Sequence, residues 1–469
     1  MNYFYKLFNS YFLMEKSHID IGDEIDILVK HDRRVEKLNR NFGDLLGKGL
    51  QLFSLGGGLT YYILSQILTD FHVKRGYYLV RTPFITNTLL YQISGHLSYY
   101  RQNMYIFNIE DEEFAIKPMN CPHHILIFIN LLEKYRKIKL PFRTFELGTV
   151  HRYESSGSVY GLLRVRSFTQ DDSHIFITPN LLEKEIEKLM DEMILLYEKV
   201  FNINLKASEF KVRLSLHDPN KMNEYSGSKE DWEYVEDVMR NVINKLASKY
   251  NFSTYEGKGE AAFYGPKYDF TLKIGEKEWQ LGTIQLDFNL PRNFKLIELV
   301  KDYFGMENLY IIHRAYLGSI ERFIGAYLES FKGRLPFVLT PIQVAILDIF
   351  TGDKEKDNKI KEYAMKIYNN LKNKEIRVVN IETTKTQLSN MTRILESTYK
   401  PYIIIYVGEK EVNDNIYSVR YYNINSKNIE EKKMKEEELY NLIEGLEKPL
   451  EELNNKKYRL FEDFNFIFE

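Results

Sequence analysis

Arginine, carboxylate and imidazole side chains are concentrated in one stretch of this chain, residues 151–176. Arg152, Arg164 and Arg166 flank a Gly-Ser turn, and guanidinium groups bind phosphate oxygens through pairs of N–H donors. The stretch continues with side chains suited to an amine, a hydroxyl or a metal: Gln170, Asp171, Asp172 and His174. It predicts an anion site beside a site for a small polar substrate. The alternative is an exposed hairpin held together by salt bridges.

Cys121 is the only cysteine of the chain and lies in the segment KPMNCPHH, residues 117–124. A single buried cysteine is most often a small apolar core residue. The sequence has neither CxxC nor HExxH spacing, so any zinc ligands would have to come from distant segments. Six of the ten histidines lie in segments of this chemical character: His96, His123, His124, His151, His174 and His313.

Arg322 follows a predicted strand end and lies in the first turn of a helix that Ser319 can cap. An arginine there is unfavourable for the helix dipole, which leaves two interpretations open, an anion ligand or an ordinary surface arginine. Residues 43–49 resemble a phosphate-binding loop, but the segment is one residue short and lacks the Ser or Thr for magnesium. We therefore predict no such loop.

Composition indicates a globular, non-membrane protein. The 469 residues are 44% hydrophobic with a net charge of −2, and no apolar run approaches the roughly 18 residues that span a bilayer. A length of this kind predicts about three domains. The single cysteine excludes an intrachain disulfide and fits a reducing compartment. Because Met1–Leu13 has the features of neither a secretory signal nor a transit peptide, we expect a cytoplasmic rather than a mitochondrial location.

Hydrophobic periodicity predicts the elements that position these residues. We expect a charged helical segment over Asp23–Leu46, a break at Gly56–Gly58, and a helix from Leu59 to about Gly76. Further expected elements are strands over Tyr77–Val80, Phe145–Tyr153 and Leu162–Phe168, helices over Leu181–Phe201 and Asp231–Tyr250, and a hairpin of Lys267–Ile274 with Glu278–Phe288.

The pattern changes after Pro336, where short apolar strands alternate with helices. Such alternation predicts a small α/β domain with a mostly parallel sheet. The expected strands are Val344–Ile349, Ile376–Ile381 and Tyr402–Val407, and the expected helices are Lys359–Leu371 and Leu388–Thr398.

Taken in order, these segments resemble the threonyl-tRNA synthetase family of class II aminoacyl-tRNA synthetases. The resemblance is strong over Arg81–Arg322 and weaker as far as Glu447. The matching segments are Ser94–His96, Lys117–Pro122, Arg152–Glu154, Arg164–Phe176, Phe263–Lys267, Trp279–Phe288 and His313–Phe323.

The resemblance implies an α/β protein in which an α+β catalytic domain, a class II antiparallel sheet flanked by helices, precedes a small α/β anticodon-binding domain. We expect an N-terminal extension and helical lead-in over residues 1–48 and the catalytic domain over 49–335. The anticodon-binding domain is expected over 336–448, with a C-terminal tail over 449–469. The helix from Leu59 and the strand ending at Pro83 match the element that builds a homodimer interface in this family.

The same resemblance implies an ATP site with accompanying Mg²⁺. Arg152 would bind the α-phosphate, Arg322 the γ-phosphate, and Glu154 and Phe168 the adenine. The full implied set is Arg152, Glu154, Arg164, Phe168, Gln280, Thr283 and Arg322. Arg152 and Arg322 would be catalytic together with His96, which matches a family histidine proposed to assist transfer to the tRNA ribose.

Family members recognise the amino acid with one Zn²⁺ ion, and the matching ligands here are Cys121, His174 and His313. The implied threonine-binding residues are Met119, Gln170, Asp172, Tyr264 and Gln285. Valine lacks the hydroxyl, and a site built for a hydroxyl rejects such an analogue by on the order of 10⁴. Serine lacks only a methyl group, worth about 1–3 kcal/mol.

The chain departs from the family in several places. It has only about 50 residues before the expected catalytic domain, too few for the proofreading domain of most members, so it resembles a shortened form. We therefore expect serine mischarging that a separate protein clears in trans. Gly58-Leu59 replaces a Trp-Pro pair, His123 stands where glycine is usual, and Glu382–Arg393 lacks the usual basic pattern. The expected partners are threonine tRNA, ATP and threonine, with no membrane.

Two other functions remain open on the residues alone. One is a seryl or prolyl enzyme of the same class, which the Cys-His-His set argues against. The other is a non-catalytic, synthetase-like accessory protein, which would have no need of the phosphate arginines.

Overall fold

The computed structural model describes residues 34–35, 40–41, 45–53, 55–135, 138–203, 210–274, 277–305, 307–423, 426 and 428–454. The chain forms two compact units. One comprises residues 32–51 and 64–329, and the other comprises residues 52–63 and 330–452. None of the described helices is long and apolar enough to cross a membrane. The domain boundaries and the cytoplasmic location stay predictions.

Thirteen strands lie before residue 316 in the described part of the chain. In chain order they are β1 (Arg34–Val35), β2 (Arg40–Asn41), β3 (Tyr78–Leu79), β4 (Ile85–Asn87), β5 (Tyr105–Ile109), β6 (Glu112–Ile116), β7 (Phe142–His151), β8 (Ser167–Ile177), β9 (Phe210–Leu216), β10 (Ser253–Lys258), β11 (Lys267–Ile274), β12 (Lys277–Asp287) and β13 (Tyr310–Ala315).

The helices of the same part pack beside these strands. They are α1 (Leu55–Val73), α2 (Leu89–Ile93), α3 (His96–Tyr100), α4 (Cys121–Lys134), α5 (Leu182–Leu195), α6 (Lys229–Tyr250), α7 (Leu290–Asn293), α8 (Leu296–Phe304) and α9 (Ile320–Ser330). A π-helical turn, Leu196–Val200, extends α5, so the predicted helix Leu181–Phe201 is confirmed.

Eight strands form one sheet in the order β10-β9-β11-β12-β13-β8-β7-β3. Its pairs are antiparallel except β9 with β10 and β3 with β7. The predicted fold class, an antiparallel sheet flanked by helices, is confirmed. The register aligns Gln285, His313 and His174 as direct neighbours across β12, β13 and β8. Three polar residues that are distant in the sequence therefore lie in one row across the sheet.

Two predictions near the N-terminus are wrong. Gly56–Gly58 does not break the chain, because α1 begins at Leu55 and runs through the three glycines. Each glycine costs a helix about 1 kcal/mol, and the burial of Leu64, Leu68 and Phe71 farther along α1 offsets that cost. Asp23–Leu46 is not one helix, since its described part contains the paired strands β1 and β2. The rest of that segment lies outside the described residues.

The predicted strand Leu162–Phe168 is also wrong, because the strand that follows the turn is Ser167–Ile177. Leu162, Leu163 and Val165 are buried, but they lie in the turn region before β8, where Leu162 packs against Gly325 of α9. An apolar run buried under a helix gives the same pattern as a buried strand. The actual strand was obscured because its middle is polar.

The smaller unit is built on a five-stranded sheet in the order β15-β14-β16-β17-β18. Its strands are β14 (Val344–Phe350), β15 (Val378–Thr384), β16 (Ile403–Val407), β17 (Tyr417–Asn423) and β18 (Asn428–Met434). Its helices are α10 (Lys354–Asn373), α11 (Lys385–Ile394), α12 (Glu409–Asp414) and α13 (Glu436–Asn454), with a π-helical turn, Leu395–Tyr399, after α11.

The α/β class of this unit is confirmed, but the expectation of a mostly parallel sheet is wrong. β14 pairs in parallel with β15 and β16, whereas β16–β17 and β17–β18 are antiparallel. β17 and β18 were not predicted. β18 carries mainly charged, exposed residues and shows no apolar period, whereas buried residues do alternate along the first part of β17. The core of the unit includes Ile346, Ile367 and Ile403.

Candidate active site

A cavity of about 330 Å³ lies on the face of the eight-stranded sheet that carries the row of polar residues, and these residues line it. Every site residue expected from the sequence lines it, apart from His96, among the residues that the structure describes. These side chains come from the start of α4 and the residues before it, the turn region between β7 and β8, the strands β8, β12 and β13, the loop before β11, and the start of α9. The structure thus brings these distant segments together, and the roles of the individual residues stay predictions.

Strand alternation divides the polar residues of β8 into two sets, since successive side chains point to opposite faces. Gln170, Asp172 and His174 line the cavity. Asp171 lies on the opposite face, where its carboxylate accepts hydrogen bonds from the backbone amides of Tyr316, at 2.7 Å, and Leu317, at 3.0 Å. The expected pair of adjacent carboxylates therefore does not form. Asp171 instead holds the loop that leads to α9.

At one end of the cavity Cys121, His174 and His313 bring their ligand atoms within 4.8 Å of one another, and all three residues are buried. Cys121 is the first residue of α4, and the two histidines are direct cross-strand partners on β8 and β13. These are donor types that bind zinc in proteins, and three protein ligands leave a position open for a substrate. No other group of this kind occurs in the described part of the chain.

The electrostatics of this end fit a divalent cation. Burial raises the pKa of the Cys121 thiol well above its usual range, and the carboxylates of Asp172 and Asp287 raise it further. Burial also lowers the pKa of His174 well below its usual range. Neutral imidazoles and a thiol that a metal can deprotonate are what zinc binding requires. His313 Nε2 lies 2.8 Å from Asp287 Oδ2, which leaves its other ring nitrogen for the metal.

Asp172 lies beside this cluster and keeps one oxygen toward the cavity. Its Oδ2 accepts a hydrogen bond from Asn120 Nδ2 at 2.9 Å, and its Oδ1 lies 4.0 Å from His174 Nε2. Gln285 donates from Nε2 to the Gly265 carbonyl at 3.3 Å, and the Tyr264 ring lies 5.6 Å from the His313 ring. With Met119 and Gln170, which also line the cavity, they form a small polar compartment.

The other end of the cavity is positively charged. Arg322 is held by its own helix start: Ser319 accepts a hydrogen bond from the Arg322 amide at 3.1 Å, as the predicted cap requires. The Arg322 guanidinium donates to the carbonyls of Leu163, at 2.9 Å, and Gln280, at 3.1 Å. Burial and then the charges of Arg152 and Arg164 lower the pKa of Arg322 to about 10. Mutual repulsion of this kind indicates a site prepared for an anion.

The neighbours of Arg322 are arranged around the same space. Arg152 donates from Nε to the Pro118 carbonyl at 3.2 Å, and its guanidinium carbon lies 5.1 Å from the Phe168 ring centroid. Arg164 is half exposed and forms a 2.8 Å ion pair with Glu154. That pair is the feature of the exposed, salt-bridged alternative that does occur.

The remaining ATP-site candidates, Gln280 and Thr283, lie on β12. Gln280 donates from Nε2 to Asp269 Oδ1 at 2.6 Å, and Thr283 donates from Oγ1 to the Tyr268 carbonyl at 3.1 Å. Gly318 allows the loop before α9 to approach this strand: its φ is +75°, and a Cβ there would lie 1.9 Å from the Leu281 carbonyl oxygen.

His96 lies behind the metal-type end and not in the cavity lining. Its Nδ1 is 2.8 Å from Ser94 Oγ, and its Nε2 is 4.0 Å from Cys121 Sγ. Burial, with the nearby His313 and Arg152, lowers the pKa of His96 to about 3. The ring is therefore neutral, and its expected role in transfer stays a prediction.

Some assignments from the sequence need additions. Asn120, Lys267 and Ser319 line the cavity but were given no substrate role. Each adjoins or lies within a segment already singled out, and position beside Cys121 was the signal for Asn120. Conversely, the sequence grouped Arg166 with the other two arginines of the anion site. Arg166 instead donates to the Glu154 carbonyl at 2.6 Å and is not among the residues that line the cavity.

Comparison with known proteins identifies the family. The profile of the tRNA synthetase class II core domain (G, H, P, S and T) matches residues 105–331, and that of the anticodon binding domain matches residues 343–446. A threonine–tRNA ligase catalytic subunit from Aeropyrum pernix is 46% identical over 97% of this chain and 99% of its own length. The chain belongs to the threonyl-tRNA synthetase family.

Two further comparisons concern a solved structure and a longer relative. The crystal structure of a putative threonyl-tRNA synthetase from Aeropyrum pernix superposes with a TM-score of 0.86, covering 94% of this chain and 98% of that one. A threonine–tRNA ligase from Caldanaerobacter subterraneus is 40% identical over 80% of this chain, which spans 56% of its length. The family is one of aminoacyl-tRNA synthetases, and membership favours neither the seryl or prolyl alternative nor the non-catalytic one.

Proposed function

We propose that this synthetase activates threonine with ATP to threonyl-adenylate and transfers the threonyl group to the 3′ end of threonine tRNA. The observation that carries the proposal is the division of one cavity. Three arginines of like charge occupy one end, and a buried Cys-His-His cluster beside Asp172 occupies the other. A nucleoside triphosphate and a small hydroxy amino acid fit these two ends.

In the first step a threonine carboxylate oxygen attacks the α-phosphorus of ATP, and the bond to pyrophosphate breaks. Negative charge accumulates on phosphate oxygens, so guanidinium groups that are already in place stabilise the transition state. We assign Arg152 to the α-phosphate and Arg322 to the γ-phosphate. Glu154 and Phe168 take the adenine side, Arg164, Gln280 and Thr283 complete the ATP site, and Mg²⁺ accompanies ATP.

At the amino-acid end we assign Cys121, His174 and His313 as ligands of one Zn²⁺. When bound, this ion supplies a Lewis-acid contact for the amine and side-chain hydroxyl of threonine. Asp172 lies where it can accept the hydroxyl proton in a hydrogen bond. Met119, Gln170, Tyr264 and Gln285 then orient the rest of the amino acid and exclude water.

In the second step a terminal ribose hydroxyl of the tRNA attacks the threonyl carbonyl, loses its proton, and AMP leaves. His96 is our candidate for helping this transfer, because it is neutral and lies 4.0 Å from Cys121. The smaller unit carries the match to the anticodon binding domain, so we propose that it binds the anticodon end of the tRNA.

The test is ATP–pyrophosphate exchange measured across amino acids, together with metal content of the purified protein. We expect exchange with threonine and about one zinc per chain. Exchange with proline alone, or none with any amino acid, would contradict the assignment. Exchange with threonine in a protein that binds no zinc would retain the activity and remove the metal.

We further propose that this 469-residue chain, assayed by itself, also charges serine. Zinc and Asp172 recognise a hydroxyl that serine shares, so only the missing methyl group discriminates, by about 1–3 kcal/mol. The partner that such an enzyme needs is a separate protein that hydrolyses serine from mischarged threonine tRNA.

A homodimer is the assembly that we propose. Five large apolar side chains between residues 79 and 93 are 46–58% exposed: Leu79, Phe84, Ile85, Leu89 and Ile93. Leu79 lies on β3, the edge strand of the eight-stranded sheet. Exposed apolar patches beside a free sheet edge are typical of interfaces. Sedimentation should show a dimer that Leu79→Lys weakens and the exposed control Tyr234→Lys leaves intact; a monomeric parent protein would contradict the proposal.

A further inference from the structure

His124 lies directly behind His174, on the side away from the cavity. Its Nδ1 is 2.8 Å from His174 Nδ1, and its Nε2 is 3.2 Å from Glu146 Oε2. His124 is 0% exposed, His174 1% and Glu146 6%. Neither His124 nor Glu146 is among the cavity-lining residues, and the function proposed above uses neither.

Glu146 is fixed as a hydrogen-bond acceptor. The backbone amide and the hydroxyl of Thr82 both donate to it at 2.9 Å, and Lys117 Nζ lies 3.5 Å away. Burial by itself raises the pKa of Glu146, but hydrogen bonds from His124 and Thr82 and the charge of Lys117 bring it down to about 2. An ionised carboxylate can only accept, so His124 Nε2 must carry a proton.

With one proton on each ring, a single arrangement satisfies the contacts of His124 with both Glu146 and His174. His124 Nε2–H donates to Glu146, so His124 Nδ1 has a lone pair and accepts from His174 Nδ1–H. His174 Nε2 then has its lone pair toward the cavity, beside Asp172. The Thr144 hydroxyl donates to the His174 carbonyl at 3.1 Å, which holds the His174 backbone beside His124.

We propose that His124 and Glu146 are positioning residues that fix the tautomer and ring orientation of His174, so that Nε2 faces the metal. The inference rests on the zinc site of the proposed function. Metal-bound histidines generally donate their second N–H to a fixed acceptor, and loss of that acceptor typically weakens metal binding 10–100-fold.

The two histidine ligands are supported differently. His313 contacts its carboxylate, Asp287, directly at 2.8 Å, whereas His174 reaches Glu146 only through a second imidazole. Asp287 is itself anchored by the amides of Asn289, at 2.7 Å, and Leu290, at 2.9 Å. The indirect support makes His124 the residue whose loss isolates the effect on one ligand.

The sequence provides a matched control at the preceding position, His123. His123 is also buried, in the same helix turn, but its Nε2 lies 2.6 Å from Thr86 Oγ1. Within the described residues, no hydrogen bond joins His123 to His174. His123→Leu and His124→Leu therefore remove the same chemical group from adjacent positions, and only His124→Leu removes the acceptor for His174.

The experiment measures zinc affinity by chelator competition and the visible spectrum of the Co²⁺-substituted protein. We expect His124→Leu to weaken zinc binding 10–100-fold and to change the Co²⁺ bands, while His123→Leu stays within about threefold of the parent. His124→Asn places an amide oxygen near the position of Nδ1, and we expect it to restore most of the affinity. Glu146→Gln serves as a second variant if His124→Leu does not fold.

The possible outcomes separate the two proposals. Parent-like zinc affinity and an unchanged Co²⁺ spectrum in folded His124→Leu would overturn the positioning role, as would equal losses in the Leu and Asn variants. A parent protein that binds no zinc would overturn the metal site itself, and the positioning role with it. Threonine-dependent exchange in that parent would show that the activity stands without them.

Discussion

The two ends of the cavity offer different physical means of recognising a substrate. The positively charged end carries fixed guanidinium groups, of which Arg164 is half exposed and Arg322 is partly buried. The metal-type end uses buried, neutral donors whose hydrogen-bond partners are fixed. Charge acts over several ångströms and tolerates small displacements, whereas metal coordination depends on the position and tautomer of each ligand. Substitutions should therefore have graded effects at the first end and all-or-none effects at the second.

The largest expected effect is that of His174→Ala. Loss of one of three ligands should remove zinc. Threonine-dependent exchange should then fall by about 10³-fold or more, because a site built for a hydroxyl discriminates by on the order of 10⁴ between substrates with and without that group. Metal analysis and exchange kinetics measure this, with circular dichroism to show that the fold remains. His151→Ala, which removes a histidine outside the cavity lining, is the control. Unchanged bound zinc in His174→Ala would refute the ligand assignment.

Arg322→Lys should have the next largest effect. The charge remains, but the fixed pair of contacts to the Leu163 and Gln280 carbonyls is lost. Because the charge is retained, we expect kcat for exchange to fall by about 10-fold, less than the roughly 10²–10³-fold that follows removal of a whole stabilising group. Arg240→Lys, at an exposed ion pair with Glu256, should leave the rate unchanged. A decrease of less than threefold would remove Arg322 from the phosphate site.

Serine charging sharpens the comparison at the metal-type end. A recognition based on the hydroxyl predicts that the chain prefers threonine over serine by only about 10–200-fold, and rejects valine by on the order of 10⁴. Charging of threonine tRNA with each labelled amino acid measures both ratios. If serine is rejected as strongly as valine, the methyl group is recognised by contacts that the present assignment omits.

The smallest expected effect concerns Glu321, which ties α9 to β8 by accepting from the Thr169 amide at 2.9 Å. Burial raises the pKa of Glu321 to about 7, so the folded protein favours the protonated form. This contribution to stability is present below the unfolded-state pKa of about 4.3 and is lost as the pH rises through about 7. The quantity to compare is the unfolding free energy of Glu321→Gln minus that of the parent. This difference should be roughly 1–3 kcal/mol more positive at pH 8 than at pH 5.

Denaturant titrations at the two pH values measure this gain. Glu233→Gln, an exposed substitution on α6, should show no such pH-dependent difference. An equal stability difference between Glu321→Gln and the parent at both pH values would show that Glu321 is ionised in the folded protein throughout this range.

Sequence reasoning predicted the fold class and brought the candidate site together, because the motifs are local and their order is specific. It misplaced β8 for a physical reason: a strand that lines a polar cavity carries Gln170, Asp172 and His174 where a core strand carries apolar residues. It also placed Asp171 and Asp172 together, because the segment was not predicted to be a strand, in which neighbouring side chains face opposite ways.

The partners behind the ligands were beyond the reach of the sequence. His124 was noticed only as one of six histidines, and Glu146 was not singled out at all. Their contacts depend on the β7–β8 register, in which Thr144 faces His174 and Glu146 faces Asp172, and that register is a property of the folded sheet.

The three zinc-ligand candidates lie at positions 121, 174 and 313, on α4, β8 and β13. An unfolded chain holds these residues far apart and offers no preformed site, so a zinc ion would bind the folded protein in preference to the unfolded chain. By mass action, free zinc at 100 times its dissociation constant should then stabilise the native state by about 2.7 kcal/mol. The zinc concentration in the cell would in this way affect the lifetime of the folded protein as well as its amino-acid specificity.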